Sequence, residues 1–185
     1  MAFLDHEKFE NVLIFGGGTG KLLVELMKRD FSKQYYYVDI SDKMIARAKK
    51  KVQKKFPEKI NSIKFISGSY SQIPAEKFDA IFTPYVLDCF TEDELPVVMN
   101  ELDKHLSQNG EWYFSDFNIP ETKMKGISSF VIRSLYFMFN IICGLGIKKL
   151  PDFHREFNRL CYNTADEKYF VKGMIVSRIY RRRKP

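Results

Sequence analysis

At 185 residues the chain is long enough to form one domain with a substantial core, and 45% hydrophobic content with 17 Phe and 10 Tyr excludes a disordered chain. Three scattered cysteines, Cys89, Cys143 and Cys161, lack C-x-x-C spacing, which argues against a metal site and for a reducing cytoplasm. The net charge of +7 is local, so it reads either as solvated surface or as a face for an anionic partner.

The opening stretch, Met1 to Asn11, carries Asp5, Glu7, Lys8 and Glu10 and does not read as a secretory signal. Val12-Leu13-Ile14-Phe15 then reads as a buried parallel strand. Gly16-Gly17-Gly18-Thr19-Gly20 makes a tight turn, and Lys21 to Met27 reads as a helix. Tyr36-Tyr37-Val38-Asp39 is a second strand that ends in an acid. From Lys43 to Lys59, eight basic residues face Glu58 alone, while Met44, Ile45, Ala48, Val52 and Phe56 recur at roughly helical spacing. The basic residues therefore occupy the outer faces of one helix. Ser62 to Gly68 is a third strand and turn, and Phe78-Asp79-Ala80-Ile81-Phe82 a fourth strand.

Thr91-Glu92-Asp93-Glu94 opens a helix with a hydroxyl cap and an acid three residues on. Leu95, Val98, Met99, Leu102 and Leu106 form its apolar stripe, and Asn109-Gly110 is expected to end it. Glu111 to Phe117 is a fifth strand. Residues 121–162 read as helix, a break at Gly144–Pro151, and a second helix. Glu167 to Val171 and Met174 to Tyr180 then form a closing hairpin. Ile127 to Ile147 is nearly long and apolar enough for a membrane span, but Arg133 lies inside it and Gly144-Leu145-Gly146 breaks its end. A buried or covering helix is the better reading, with peripheral membrane contact left open. A second basic cluster, Arg178 with Arg181-Arg182-Arg183-Lys184, closes the chain.

An apolar strand, a glycine turn, a helix and a second strand ending in an acid is how an α/β sheet holds an adenosine-containing cofactor. Glycines let the backbone approach the ligand, and a carboxylate accepts from a ribose diol. The dinucleotide fingerprint needs a small residue where Lys21 stands, which argues against a nicotinamide cofactor. No phosphate-loop string is present. The glycines at 16, 18 and 20 make G-x-G-x-G, which resembles motif I of the class I S-adenosylmethionine-dependent methyltransferases. Val38-Asp39-Ile40-Ser41-Asp42-Lys43-Met44 is similar to that family's acid and serine-started helix.

The resemblance implies a Rossmann-like α/β fold: a mostly parallel seven-stranded sheet, helices on both faces and a closing antiparallel hairpin. It covers residues 11–118 motif by motif and the remainder by topology. It implies one methyltransferase-like domain over 1–185, with 119–162 a helical lid or insertion. S-adenosyl-L-methionine would meet Gly16, Gly17, Gly18 and Gly20, with Asp39 on the ribose and Ile40 against adenine. Ser69 and Tyr70 stand where many relatives carry an acid for the adenine amine, and Thr83 and Tyr85 flank the methionine part. The family usually carries one or two helices before motif I, whereas ten residues or so precede the first strand here. The cleft is thus expected to be open, or covered by a partner subunit or by the aromatic set Phe130, Tyr136, Phe137, Phe139, Leu150, Phe153 and Phe157. That set also fits packing on the sheet as core, and both can hold at once.

Methyl transfer is an in-line displacement that positioning largely promotes, with a general base where the nucleophile is weakly acidic. Asp116, Asp88 and His154 are the candidates for that base. A small, partly apolar acceptor ranks first. An RNA methyltransferase ranks second, on the basic clusters and on Thr83-Pro84-Tyr85, a deficient form of the nucleic-acid enzymes' motif. A non-catalytic cofactor-binding or interaction protein of the same fold is third, and a homodimer stays open.

Overall fold

The structure, a computed structural model, describes residues 8–117, 152–171 and 173–183. Phe9–Phe15 (β1) ends in four consecutive buried residues, as a strand covered on both faces must. It lies between Ser32–Asp39 (β2) and Phe78–Pro84 (β4), parallel to both. Ile63–Ser67 (β3) pairs with the outer edge of β2, and Leu106–Phe117 (β5) with β4. Tyr162–Phe170 (β6) and Ile175–Arg182 (β7) form the hairpin, and β7 inserts antiparallel between β5 and β6. The order is β3-β2-β1-β4-β5-β7-β6. Strand order reverses between β1 and β4, the place where open α/β sheets bind ligands at the strands' carboxyl ends.

Helices cover both faces. Lys21–Lys28 (α1) and Asp42–Lys55 (α2) bury Leu23, Leu26, Ala48 and Val52 against Val12, Ile14 and Tyr35. Glu94–His105 (α3) and Phe153–Arg159 (α4) bury Leu95, Met99, Phe153 and Phe157 against Leu13, Trp112 and Phe114. The capping pair forms: Thr91 N–H donates to Glu94 Oε2 at 3.0 Å, and Glu94 N–H donates to Thr91 Oγ1 at 3.3 Å.

Two expectations are corrected. The third helix does not run to Asn109-Gly110. It ends at His105, because Leu106 already pairs with Phe78, and residues 107–110 bulge out before Glu111 pairs with Ala80. The first hairpin strand starts at Tyr162 rather than Glu167, five residues earlier, directly after α4. Most of the expected lid, with Phe130, Tyr136, Phe137, Phe139 and Leu150, lies outside the described residues, as do Cys143 and the apolar stretch 127–147. Among the described residues, no helix is long and apolar enough to cross a membrane.

Candidate functional site

The turn after β1 is held from three sides. Gly18 N–H donates to Asp39 Oδ2 at 2.8 Å, and Ser41 N–H donates to Asp39 Oδ1 at 2.9 Å. Tyr37 Oη donates to the Gly18 carbonyl at 2.7 Å, and Lys51 Nζ to the Thr19 carbonyl at 2.8 Å. Burial pushes the Tyr37 phenol well up, the Asp39 carboxylate adding to the shift, so it stays a donor. Tyr37 also lies under the turn: a Cβ on Gly17 would sit 2.3 Å from its ring.

Gly18, at φ +61°, has open space where its side chain would be, which leaves its backbone bare to a ligand. Gly20 does different work. A Cβ there would lie 2.7 Å from the Ala48 Cβ, so this glycine lets α1 and α2 approach.

Asp39 ends β2 and is 8% exposed. An ionised carboxylate offers about four acceptor positions. The two backbone N–H groups of Gly18 and Ser41 take two, which leaves capacity for a diol. Next to it Ile40 is 81% exposed, unusual for an isoleucine at a sheet's carboxyl edge and suited to lie against a flat apolar ring. Gly68 N–H donates to the Asp39 carbonyl at 3.0 Å, bringing the turn after β3 alongside. Ser69 there caps the short turn Tyr70–Gln72, its hydroxyl 3.1 Å from Ser71 Oγ.

On the other side of the glycine turn lies an open cleft of about 530 Å³, within the range of small-molecule sites. Gly16, Gly17, Gly18 and Thr19 with Lys21 and Leu22 of α1 form one wall. Pro84 and Tyr85 form the end at β4, and Ser115 with Phe170, Ile175 and Ser177 of the hairpin form the opposite wall. Tyr85 sits at φ +53°, a left-handed conformation costing a non-glycine residue about 1–2 kcal/mol. Its N–H bonds the Ser115 carbonyl at 2.8 Å, its ring packs on Phe117 at 5.5 Å, and it remains 44% exposed. Strain of this kind collects where a side chain must face a ligand.

Several anticipated residues sit elsewhere. Thr83 is 0% exposed and its Oγ1 accepts from Trp112 Nε1 at 3.0 Å, so it serves the core and not the cleft. Asp88 and Asp116 lie against each other but are buried, and neither lines the cleft. Desolvation raises both carboxyls, Asp116 the further because the Asp88 charge adds to it. They hold one another and the backbone: Asp116 Oδ2 accepts from Asp88 N–H at 3.3 Å, and Oδ1 from Phe117 N–H at 2.8 Å. His154 is exposed on α4 and does not line the cleft either. Phe153 and Phe157 are core: Phe157 stacks on Tyr180 at 3.7 Å and meets Trp112 edge-on at 5.1 Å. The wall residues Ser115, Phe170, Ile175 and Ser177 escaped the sequence reading. Their convergence depends on β5–β7 register, which no local motif encodes.

The methyltransferase domain family matches residues 12–110, more than half of the chain. The fold is similar to that of mitomycin 7-O-methyltransferase MmcR, with a TM-score of 0.73 and 11% identity over 95% of this chain and 49% of that one. It is also similar to the YcgJ protein of Bacillus subtilis (0.69, 13% identity, 98% and 95% covered). The N-methyltransferase NodS of Bradyrhizobium japonicum is a third likeness (0.65, 14% identity, 96% and 88% covered). This chain thus spans about half the length of the mitomycin enzyme and most of the other two. At these identities the likeness is one of fold. No curated relative matches the sequence. With the glycine turn, the acid that ends β2 and the sheet order in agreement with the family match, the chain belongs to the class I S-adenosylmethionine-dependent methyltransferases.

Proposed function

We propose that the protein transfers a methyl group from S-adenosyl-L-methionine to a small, partly apolar acceptor. The observation that carries this reading is the Asp39 carboxylate held against Gly18 N–H at the sheet's switch point. Asp39 would take the ribose hydroxyls and Ile40 the adenine face, with Ser69 and Tyr70 beside the base. The bare backbone of Gly16 to Gly18 would take the part leading to the sulfur. The bound cofactor supplies an electrophilic methyl on a sulfonium. The chain's part is to bind it, align the acceptor and keep water from the line of attack. Tyr85, strained and half-exposed at the end of β4, is the residue best placed to border the reacting centre.

A small acceptor is favoured by the apolar character of the cleft's hairpin wall. The C-terminal arginines do not support the nucleic-acid alternative, since they are engaged within the fold. Arg178 pairs with Glu167, Arg181 with Glu111 and Arg182 with Asp103, and Arg183 Nε bonds Asn163 at 2.9 Å. Among the described residues, the RNA reading rests on the exposed basic residues of α2, Lys43, Arg47, Lys50 and Lys54 forming one stripe of them.

The test is calorimetric titration with S-adenosylmethionine, S-adenosylhomocysteine and NAD. The two sulfur ligands are expected to bind and NAD not to. Asp39→Ala is expected to weaken them about a hundredfold, the scale of two lost charge-assisted hydrogen bonds, while circular dichroism keeps the native spectrum. Unchanged affinity in the variant overturns the assignment.

A further inference from the structure

Three features of the cleft bear on what the acceptor must be. The hairpin wall is apolar, with Phe170 and Ile175 opposite Leu22. Within that wall Ser115 Oγ and Ser177 Oγ stand 2.8 Å apart across the β5–β7 ladder, where the two residues are register partners. A bonded pair of hydroxyls uses one O–H internally and keeps the other to donate outward. Finally, the lining contains no carboxylate and no histidine among the described residues, and its one formal charge is Lys21. The buried carboxyl pair Asp88 and Asp116 belongs to the core, so it does not supply the missing base.

A cleft whose described lining donates a hydrogen bond, carries a lysine at its rim and holds neither a carboxylate nor an imidazole base is poorly suited to an alcohol or an ammonium group. Each of those must lose a proton before it can attack. The same cleft suits a nucleophile that is already an anion at neutral pH. Resting on the cofactor reading above, we propose that the acceptor is an apolar molecule bearing an oxyanion, a carboxylate or an acidic phenolate. Its hydrocarbon lies against Phe170 and Ile175, and its oxygen accepts from the Ser115–Ser177 pair. In the transfer an oxyanion lone pair forms the new O–CH3 bond as the donor's S–CH3 bond breaks. The sulfonium becomes a neutral thioether, and no proton has to be removed. Ser177 and Ser115 act as positioning residues, and Phe170 sets the size and apolarity of what enters.

The experiment uses the whole protein saturated with S-adenosylhomocysteine, so that the cofactor's own carboxylate is in place and any anion preference belongs to the acceptor. Decanoate, benzoate and para-nitrophenolate are titrated against decanamide, benzamide and para-nitroaniline. Each oxyanion is expected to bind about tenfold tighter than its neutral counterpart, the scale of one charge-assisted hydrogen bond. Ser177→Ala is expected to reduce that preference by leaving the Ser115 hydroxyl without its orienting partner, and the double variant Ser115→Ala/Ser177→Ala to erase it. Phe170→Ala is expected to weaken decanoate and decanamide alike, by about tenfold, because the hydrocarbon then lies against less apolar surface. S-adenosylhomocysteine affinity stays the same in each variant. With S-adenosylmethionine, mass spectrometry is expected to show the methyl ester or ether of the oxyanion probes only. Equal binding of charged and neutral probes overturns the proposal, as does loss of S-adenosylhomocysteine affinity in Ser177→Ala or Phe170→Ala. Failure of S-adenosylhomocysteine to bind wild-type protein is a different result: it overturns the cofactor reading itself, and this proposal with it.

Discussion

The Asp88–Asp116 pair shows how a single contact between like groups becomes a pH dependence. Burial raises both carboxyls, and the charge of one keeps the other protonated. A carboxyl raised in the folded state contributes stability that is fully present below the ordinary Asp range, about pH 4. That stability is lost as pH climbs through the folded value. The protein is therefore expected to lose unfolding free energy as pH rises above about 4, at up to about 1.4 kcal/mol per pH unit for one proton. Asp88→Asn removes the like charge while keeping an acceptor for the Cys89 thiol and a donor toward Asp116. Urea midpoints across the pH range should flatten in this variant; a slope equal to the wild type would assign the dependence to other groups. At this scale the sequence was legible where chemistry and backbone coincide. Gly18 and Asp39 could be named because a strand, a turn and an acid lie close in sequence. Thr83 could not be placed, because strand parity alone does not say which side of β4 faces Trp112.

The element that reads differently in the structure is α4. Its aromatic residues suit a lid or a core face by composition, and packing decides for the core. Phe157 is fully buried and touches Trp112, Tyr162, Phe114 and Tyr180. Phe157→Ala is expected to cost about 3–5 kcal/mol of stability, the range for deleting a buried aromatic ring. Denaturation reads the loss. S-adenosylhomocysteine affinity, measured well below the melting temperature, should stay put; a selective loss of ligand affinity without loss of stability would restore a lid role. The α3 boundary has a comparable lesson. Asn-Gly is a reasonable stop signal, but the chain had already entered β5, and the Leu106 side chain folds back over the glycine, its Cδ1 2.7 Å from where a Cβ would stand. Tertiary pairing outranked the local signal.

At the scale of the whole molecule, the two basic clusters of the described residues differ in kind. The arginines of β7 are fasteners. Arg182 donates to the Asp103 carboxylate, to the Asp103 carbonyl at 2.6 Å and to the carbonyls of Leu106 and Ser107, tying the strand to the junction of α3 and β5. Lysine cannot reproduce a planar fork of donors. Arg182→Lys is expected to lower stability by about 1–3 kcal/mol in equilibrium unfolding, with net charge unchanged; an unaltered midpoint would show these bonds to be redundant. On α2, by contrast, Lys43, Arg47, Lys50 and Lys54 recur at helical spacing on one exposed stripe. The run of basic residues at the chain's end looked from sequence like the same thing as the run on α2. Only the pairing of β7 with β5 and β6 tells them apart.

That strand order also carries a message about synthesis. β7 lies between β5 and β6 although both are translated before it. Until Ile175–Arg182 leaves the ribosome, the growing chain presents an unpaired edge along Trp112, Tyr113 and Phe114, the most aromatic stretch of β5. Such an edge is a template for pairing with another chain. Nascent protein is thus exposed to misassembly until that strand emerges, and the same insertion that ends the hazard brings Ile175 and Ser177 into the cleft wall. Closing the sheet and completing the pocket are one event.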